Sequence, residues 1–251
     1  MKDQKQNDLF LKGSDKRGIL IFHGFTGTPD EMLHIGNNLN ENGFTVYIPL
    51  LPGHGTEWRD LNRVKSEDIV RFINRSYTSL RKICEDIYLI GFSLGGAVAL
   101  FTAEKFPIKK IVLINPMILQ SFMSFLGSTF SFMISAFPAR TDINDKTVSL
   151  KAHYSVYPLK GLKEYMKVSR IAILNIKNIL SPLLIFRSTG DHLVSSKNTK
   201  FIFSNISSSN KKIILLKHSF HMAVMDFDKD LIAEKTVEFF NDRVAPFNLH
   251  S

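Results

Sequence analysis

The sequence predicts an α/β fold: a mostly parallel, doubly wound sheet that carries a small inserted cap. Three observations lead there. Six short apolar runs, residues 19–22, 44–48, 87–90, 111–114, 183–186 and 212–216, read as strands, and they are continuous rather than alternating. Continuous runs suit parallel strands covered on both faces. Helical patterns separate most of the runs, and strand–helix alternation is what winds such a sheet. One interval breaks the rhythm: residues 115–181 are too long for a connecting loop and must carry structure of their own.

A chain of 251 residues suits one large α/β domain, with residues 1–251 forming the domain and 116–181 the cap within it. Its 44% hydrophobic content fills a single core without help from disulfides, and the one cysteine, Cys84, has no partner within the chain. Cys84 closes a helical stretch and reads as a buried, inert thiol. The first ten residues are charged and polar, with no apolar stretch of the secretory kind, so a cytoplasmic address is expected.

The net charge is +9, yet the lysines are dispersed and no nucleic-acid-binding signature accompanies them, so nucleic acid is not an expected partner. One bias stands out. Lys146, Lys151, Lys160, Lys163, Lys167, Arg170 and Lys177 are opposed only by Glu164. This reads as a solvated face, with peripheral contact to anionic lipid interfaces as the alternative.

The helices have their own signals. Thr28-Pro29-Asp30-Glu31 offers a hydroxyl cap, proline at the first helical position and glutamate at the third. Ser66 opens a second helix, in which Ile69, Phe72, Ile73, Leu80 and Ile83 can share a face. Asp228 opens the last, with Leu231, Ile232, Phe239 and Phe240 directed inward. Within the long interval, Ser121, Ser124, Ser128, Ser131 and Ser135 recur at helical spacing opposite a Phe- and Met-rich face. Those serines, with Gln120 and Gly127, argue against a membrane span and for a cap over a site. Phe130 and Met133 on the apolar face are candidates to line a substrate pocket; the alternative is that the face packs only against the core.

The chemistry centres on Gly91-Phe92-Ser93-Leu94-Gly95-Gly96, which follows one apolar run and precedes a helical one. Strand, sharp turn and helix form the setting of a nucleophile elbow, which presents the serine oxygen at a helix amino terminus. Attack by Ser93 on a carbonyl builds negative charge that backbone N–H groups must already face. Leu94 supplies one, and Phe25, in His23-Gly24-Phe25-Thr26-Gly27 after the first run, supplies the other. His23 itself reads as structural, and His54 as shaping its turn. Asp191, in Gly190-Asp191-His192 after the fifth run, fits the acid that orients an imidazole. Two histidines near the carboxyl end compete as base, His218 and His221. His218 follows its strand almost at once, whereas His221 lies deeper in the loop, which favours His221. Asp226 and Asp228 read as turn and cap residues, and His192 and His153 as exposed bystanders, with the alternative that His153, in the cap, lines the cleft. The mechanism needs neither a metal nor an organic cofactor.

Together these pieces, with Pro52-Gly53-His54-Gly55-Thr56 and the His221-to-Asp226 spacing, resemble the bacterial monoacylglycerol lipase and small carboxylesterase branch of the α/β-hydrolases. The matches run from about residue 19 to residue 240. The elbow and triad are common to the superfamily; the Gly53-His54-Gly55 loop narrows the match. The resemblance implies the α/β-hydrolase fold and a serine esterase acting on esters of short or medium acyl chains, monoacylglycerols included, so the expected partner is a small ester or lipid. A thioesterase or serine peptidase would use the same triad, and a non-catalytic protein on this fold is the remaining alternative.

Overall fold

The structure, a computed structural model, describes residues 7–119, 135–139, 141–148 and 154–242. The main sheet has seven strands in the order β1-β3-β2-β4-β5-β8-β9. In chain order come β1 (Leu9–Leu11), β2 (Arg17–Phe22), α1 (Leu33–Glu41), β3 (Thr45–Ile48), the short α2 (Trp58–Leu61) and α3 (Ser66–Arg81). Then follow β4 (Asp86–Phe92), α4 (Leu94–Lys105) and β5 (Ile111–Ile114). A two-stranded hairpin of β6 (Ala136–Pro138) and β7 (Val156–Pro158) precedes α5 (Leu159–Leu174). The chain closes with β8 (Leu183–Ser188), α6 (Lys197–Asn205), β9 (Lys211–Leu216) and α7 (Lys229–Asn241).

All six expected strands form, each within two residues of its expected bounds, and all six are parallel. Alternation of side chains across the pleat explains why they read as unbroken apolar runs. Leu20, Phe22, Leu89, Ile111, Leu113, Leu183 and Ile185 pack on the face covered by α3, α4 and α5. Ile19, Ile21, Tyr88, Ile90, Val112, Ile114, Leu184 and Phe186 pack on the other, with Ile35 and Leu39 of α1 and Ile232 and Phe240 of α7. β1 pairs antiparallel with β3 and caps one edge. β9 closes the other, where Lys211 and Lys212 discourage further pairing.

Three local expectations change. Pro29–Met32 is a 3-10 turn ahead of α1, and Thr28 makes no side-chain cap; Glu31 is buried and turns its carboxylate to the Gly24 N–H instead. Ile83 lies beyond the end of α3 and is exposed, so it does not share the buried face of Ile69, Ile73 and Leu80. Asp228 precedes α7 without capping it by its side chain, accepting instead from the His218 N–H at 3.0 Å. Cys84 is buried, and burial pushes its thiol up.

Phe130, Met133, His153 and four of the five serines of the helical stripe lie outside the described residues. Among the described residues no helix is long and apolar enough to cross a membrane.

Candidate active site

In a parallel sheet the carboxyl ends of the strands share one edge, and the loops that leave them meet above it. The loops after β2, β4, β8 and β9 carry His23 to Gly27, Ser93, Asp191 and His221 respectively. Ser93 occupies the one-residue turn between β4 and α4 with φ 51° and ψ −120°, a left-handed conformation that an L-residue adopts at a cost of about 1–3 kcal/mol. Its surroundings over-determine that strain. The Ser93 N–H donates to Ile114 O at 3.0 Å, and its carbonyl accepts from Gly96 and Met117 N–H at 2.9 Å. Strand and helix pass so closely that a Cβ on Gly91 would sit 2.5 Å from the Gly95 carbonyl oxygen. One on Gly95 would overlap the carbonyl of Phe22 and lie 2.6 Å from that of His23.

The structure brings Ser93, His221 and Asp191 together. His221 Nε2 lies 2.9 Å from Ser93 Oγ, and Nδ1 lies 2.9 Å from Asp191 Oδ2. An ionised carboxylate only accepts, so Nδ1 carries the ring proton and Nε2 is left to accept from the serine hydroxyl. His218, the rival base, lies outside this contact, its N–H donating to Asp228 and its carbonyl accepting from Asn144 Nδ2 at 2.9 Å. The imidazole packs against Phe92 with ring centroids 5.3 Å apart.

Asp191 is held as an anion. Its Oδ1 accepts the N–H groups of Leu193 and Val194 at 2.9 and 2.8 Å, and Oδ2 accepts both His221 and the Arg187 guanidinium, the latter at 2.7 Å. Burial alone would raise this carboxyl, but His221, the Val194 N–H and Arg187 outweigh it and hold it below the ordinary aspartate value. Arg187 ends the apolar run of β8 and was not singled out in the sequence. Its signal was there: a lone cation in a strand covered on both faces.

The loop after β2 is built around Phe25. Among its N–H groups, that of Gly24 goes to Glu31, Thr26 to His54 Nε2 at 3.2 Å and Gly27 to Gly24 O at 3.2 Å. Among the described residues the backbone-to-backbone hydrogen bonds of this loop and of the elbow do not include the Phe25 or the Leu94 N–H. Two buried histidines fix this loop. His23 Nε2 accepts from Leu51 N–H at 3.0 Å and Nδ1 lies 2.9 Å from Gly24 O. His54 Nε2 accepts from Thr26, and its Nδ1 lies 3.1 Å from Pro52 O. Each therefore has its proton on Nδ1. From the β7–α5 region, Tyr154 N–H donates to Thr26 O at 3.3 Å, its hydroxyl to Gly53 O at 2.9 Å, and the Tyr165 hydroxyl to Pro52 O at 3.1 Å. The ring of Phe25 stacks on Tyr157, with centroids 6.4 Å apart.

His192 is exposed, as expected, and its Nδ1 lies 2.8 Å from Asp142 Oδ1. Among the described residues no group of three or more His, Cys, Asp and Glu side chains gathers as a metal cage would require.

Comparison with known proteins places this geometry in context. Residues 19–160 match the model of the alpha/beta hydrolase fold family. The chain is 34% identical over 228 residues to a thermostable monoacylglycerol lipase of Bacillus sp. (strain H-257), covering 89% of this chain and 90% of the relative. It is 26% identical over 241 residues to a carboxylesterase of Bacillus subtilis (strain 168), covering 95% and 98%. A solved structure of a metagenome-derived lipolytic enzyme (LipS or LipT) superposes with a TM-score of 0.90 at 28% identity, over 95% of this chain and 98% of that one.

Proposed function

This chain belongs to the α/β-hydrolase fold family and is a hydrolase of the lipase and esterase type, and from that premise we propose that it cleaves carboxylic esters of short or medium acyl chains, monoacylglycerols included, through a Ser93–His221–Asp191 triad. The observation that carries the proposal is the unbroken contact from Ser93 Oγ through the imidazole to the Asp191 carboxylate, 2.9 Å at each step.

In this reading His221 Nε2 takes the serine proton as Oγ attacks the ester carbonyl. The carbonyl oxygen becomes an oxyanion, which the N–H groups of Phe25 and Leu94 stabilise together with the amino end of α4. Asp191 holds the tautomer and stabilises the imidazolium, which then protonates the leaving alcohol. Water, deprotonated by the same imidazole, attacks the acyl-enzyme and releases the acid. The proposal extends to one domain of residues 1–251 with a cap at 116–181, and to an acyl pocket lined by Phe130 and Met133. It extends also to peripheral contact between the basic stretch and anionic lipid, for which salt-insensitive liposome binding would be the contrary result.

The test is a fluorophosphonate probe followed by a substrate panel of aryl esters, monoacylglycerols, acyl thioesters and aminoacyl amides. Labelling at Ser93 is expected, and Ser93→Ala should keep the fold while activity falls by about three orders of magnitude or more. Hydrolysis of thioesters or amides in preference to every ester would replace the substrate class; an unlabelled, inactive protein would defeat the triad itself.

A further inference from the structure

The polar groups that hold His221 in place do not all come from the sheet. Its carbonyl accepts from Asn115 Nδ2 at 2.8 Å, just after β5. Its N–H, however, donates at 3.2 Å to Oδ2 of Asp142, a residue of the long segment between β5 and β8. The same oxygen accepts the His192 N–H at 2.8 Å, Oδ1 meets His192 Nδ1 at 2.8 Å, and the Asp142 carbonyl accepts the Met222 N–H at 2.9 Å. One buried carboxylate thus spans the loop of the acid, through the residue next to Asp191, and the loop of the base. The attachment is reciprocal. Asp226 is fully buried and accepts from Asn144 and Asp145 N–H at 2.8 and 2.9 Å while also taking the Phe220 N–H at 2.9 Å. Residues 142–145 and the loop carrying His221 are therefore clasped by two carboxylates, one from each side.

We infer that Asp142 is a positioning residue for the triad: it fixes the distance between the acid and base loops and adds a second negative charge beside the imidazolium. The inference rests on the triad reading above. Among the described residues the charged groups that meet His221 are Asp191 at its ring, with Arg187 behind it, and Asp142 at its backbone N–H; Asp226 is turned to the N–H groups of Phe220, Asn144 and Asp145. Asp142 itself faces His192 and the His221 backbone. Arg187 shares Oδ2 of Asp191 with the imidazole and offsets part of that carboxylate's charge, which gives the charge on Asp142 more weight than a bystander's.

Asp142→Asn separates geometry from charge. An amide oxygen in the place of Oδ2 can accept both the His192 and His221 N–H groups, and its NH2 can meet His192 Nδ1 once that ring takes its other tautomer. Asp142→Ala removes both geometry and charge. Kinetics with a p-nitrophenyl ester from pH 5 to 8.5 should show Asp142→Ala lowering kcat about tenfold with KM changed less than about twofold, since only transition-state alignment is lost. Asp142→Asn should recover kcat to within about threefold of wild type, and the midpoint of its acid limb in kcat/KM should move about half a unit lower, because the imidazolium has lost a nearby anion. Wild-type kcat in Asp142→Ala, or a loss confined to KM, overturns the inference. Should the alanine variant fail to fold, an unmoved acid limb in a folded Asp142→Asn overturns it equally. Failure of the wild-type protein to hydrolyse any ester or to react with fluorophosphonate would instead count against the triad reading.

Discussion

Arg187 offers the sharpest perturbation of the relay. Its Nη1 and the imidazole Nδ1 both sit on Asp191 Oδ2, at 2.7 and 2.9 Å, and the arginine and aspartate side chains are 10% and 0% exposed. Two nitrogens on one oxygen lie about 5 Å apart, where unit charges at an effective dielectric of 20 interact by about 3 kcal/mol. That repulsion acts only when His221 is imidazolium, the form it takes in the proposed mechanism as Ser93 attacks, so Arg187 opposes part of what Asp191 contributes. Arg187→Met should move the acid limb of kcat/KM toward higher pH, because the imidazolium loses a neighbouring cation. Breaking a buried pair is also destabilising, by about 3–5 kcal/mol when the remaining charge is abandoned. Asp191 is not abandoned, because His221 and the N–H groups of Leu193 and Val194 remain, so the loss should fall at the lower end. The assay is kcat/KM for a p-nitrophenyl ester from pH 4.5 to 8.5, with urea denaturation on the same preparation. A midpoint that stays put, or moves lower, in a folded Arg187→Met refutes the electrostatic account.

Three further outcomes follow from other parts of the molecule. Gly95→Ala places a methyl group against the Phe22 and His23 carbonyls, so the elbow must open; fluorophosphonate labelling should slow at least about tenfold, and unchanged labelling would show that the helix can retreat at no cost. Asp191 has a carboxyl lowered from 3.8, so its contribution to stability is complete above that value and is lost as pH falls through the native one. The difference in thermal midpoint between wild type and Asp191→Asn should therefore shrink below pH 3.8, and a constant difference down to pH 2 would contradict the assignment. Phe130→Ala and Met133→Ala should alter the preferred acyl length, as read from rates on a series of p-nitrophenyl esters; identical profiles would remove both residues from the pocket.

What could be read in advance was what is local. The parallel strands announce themselves as apolar runs because both faces are covered, and the elbow because Gly91 and Gly95 are sterically required around Ser93. His221 and Asp191 were picked out by the loops that carry them, and in the structure both lie in one chain of contacts with Ser93. Three-residue β1 was missed because its pattern is too short to register, and the β6–β7 hairpin joins segments some twenty residues apart. Glu31 fits a helix-capping pattern, yet its carboxylate serves Gly24 seven residues earlier. Asp142 and Asp226 act across gaps of about eighty residues, and nothing within a short window distinguishes such a carboxylate from a solvated one.

β5 and β8 are hydrogen-bonded neighbours, Ile111 opposite Leu183 through Ile114 opposite Phe186. The chain therefore leaves the sheet and re-enters it at adjacent seats, so exchanging what lies between them with a homologue's segment leaves the strand ladder intact. The graft has a condition attached. A donor segment lacking an acidic side chain at the seat of Asp142 would fit the scaffold and still hand over a slackened base, so chimeras meant to change substrate choice should keep residues 142–145 with the recipient.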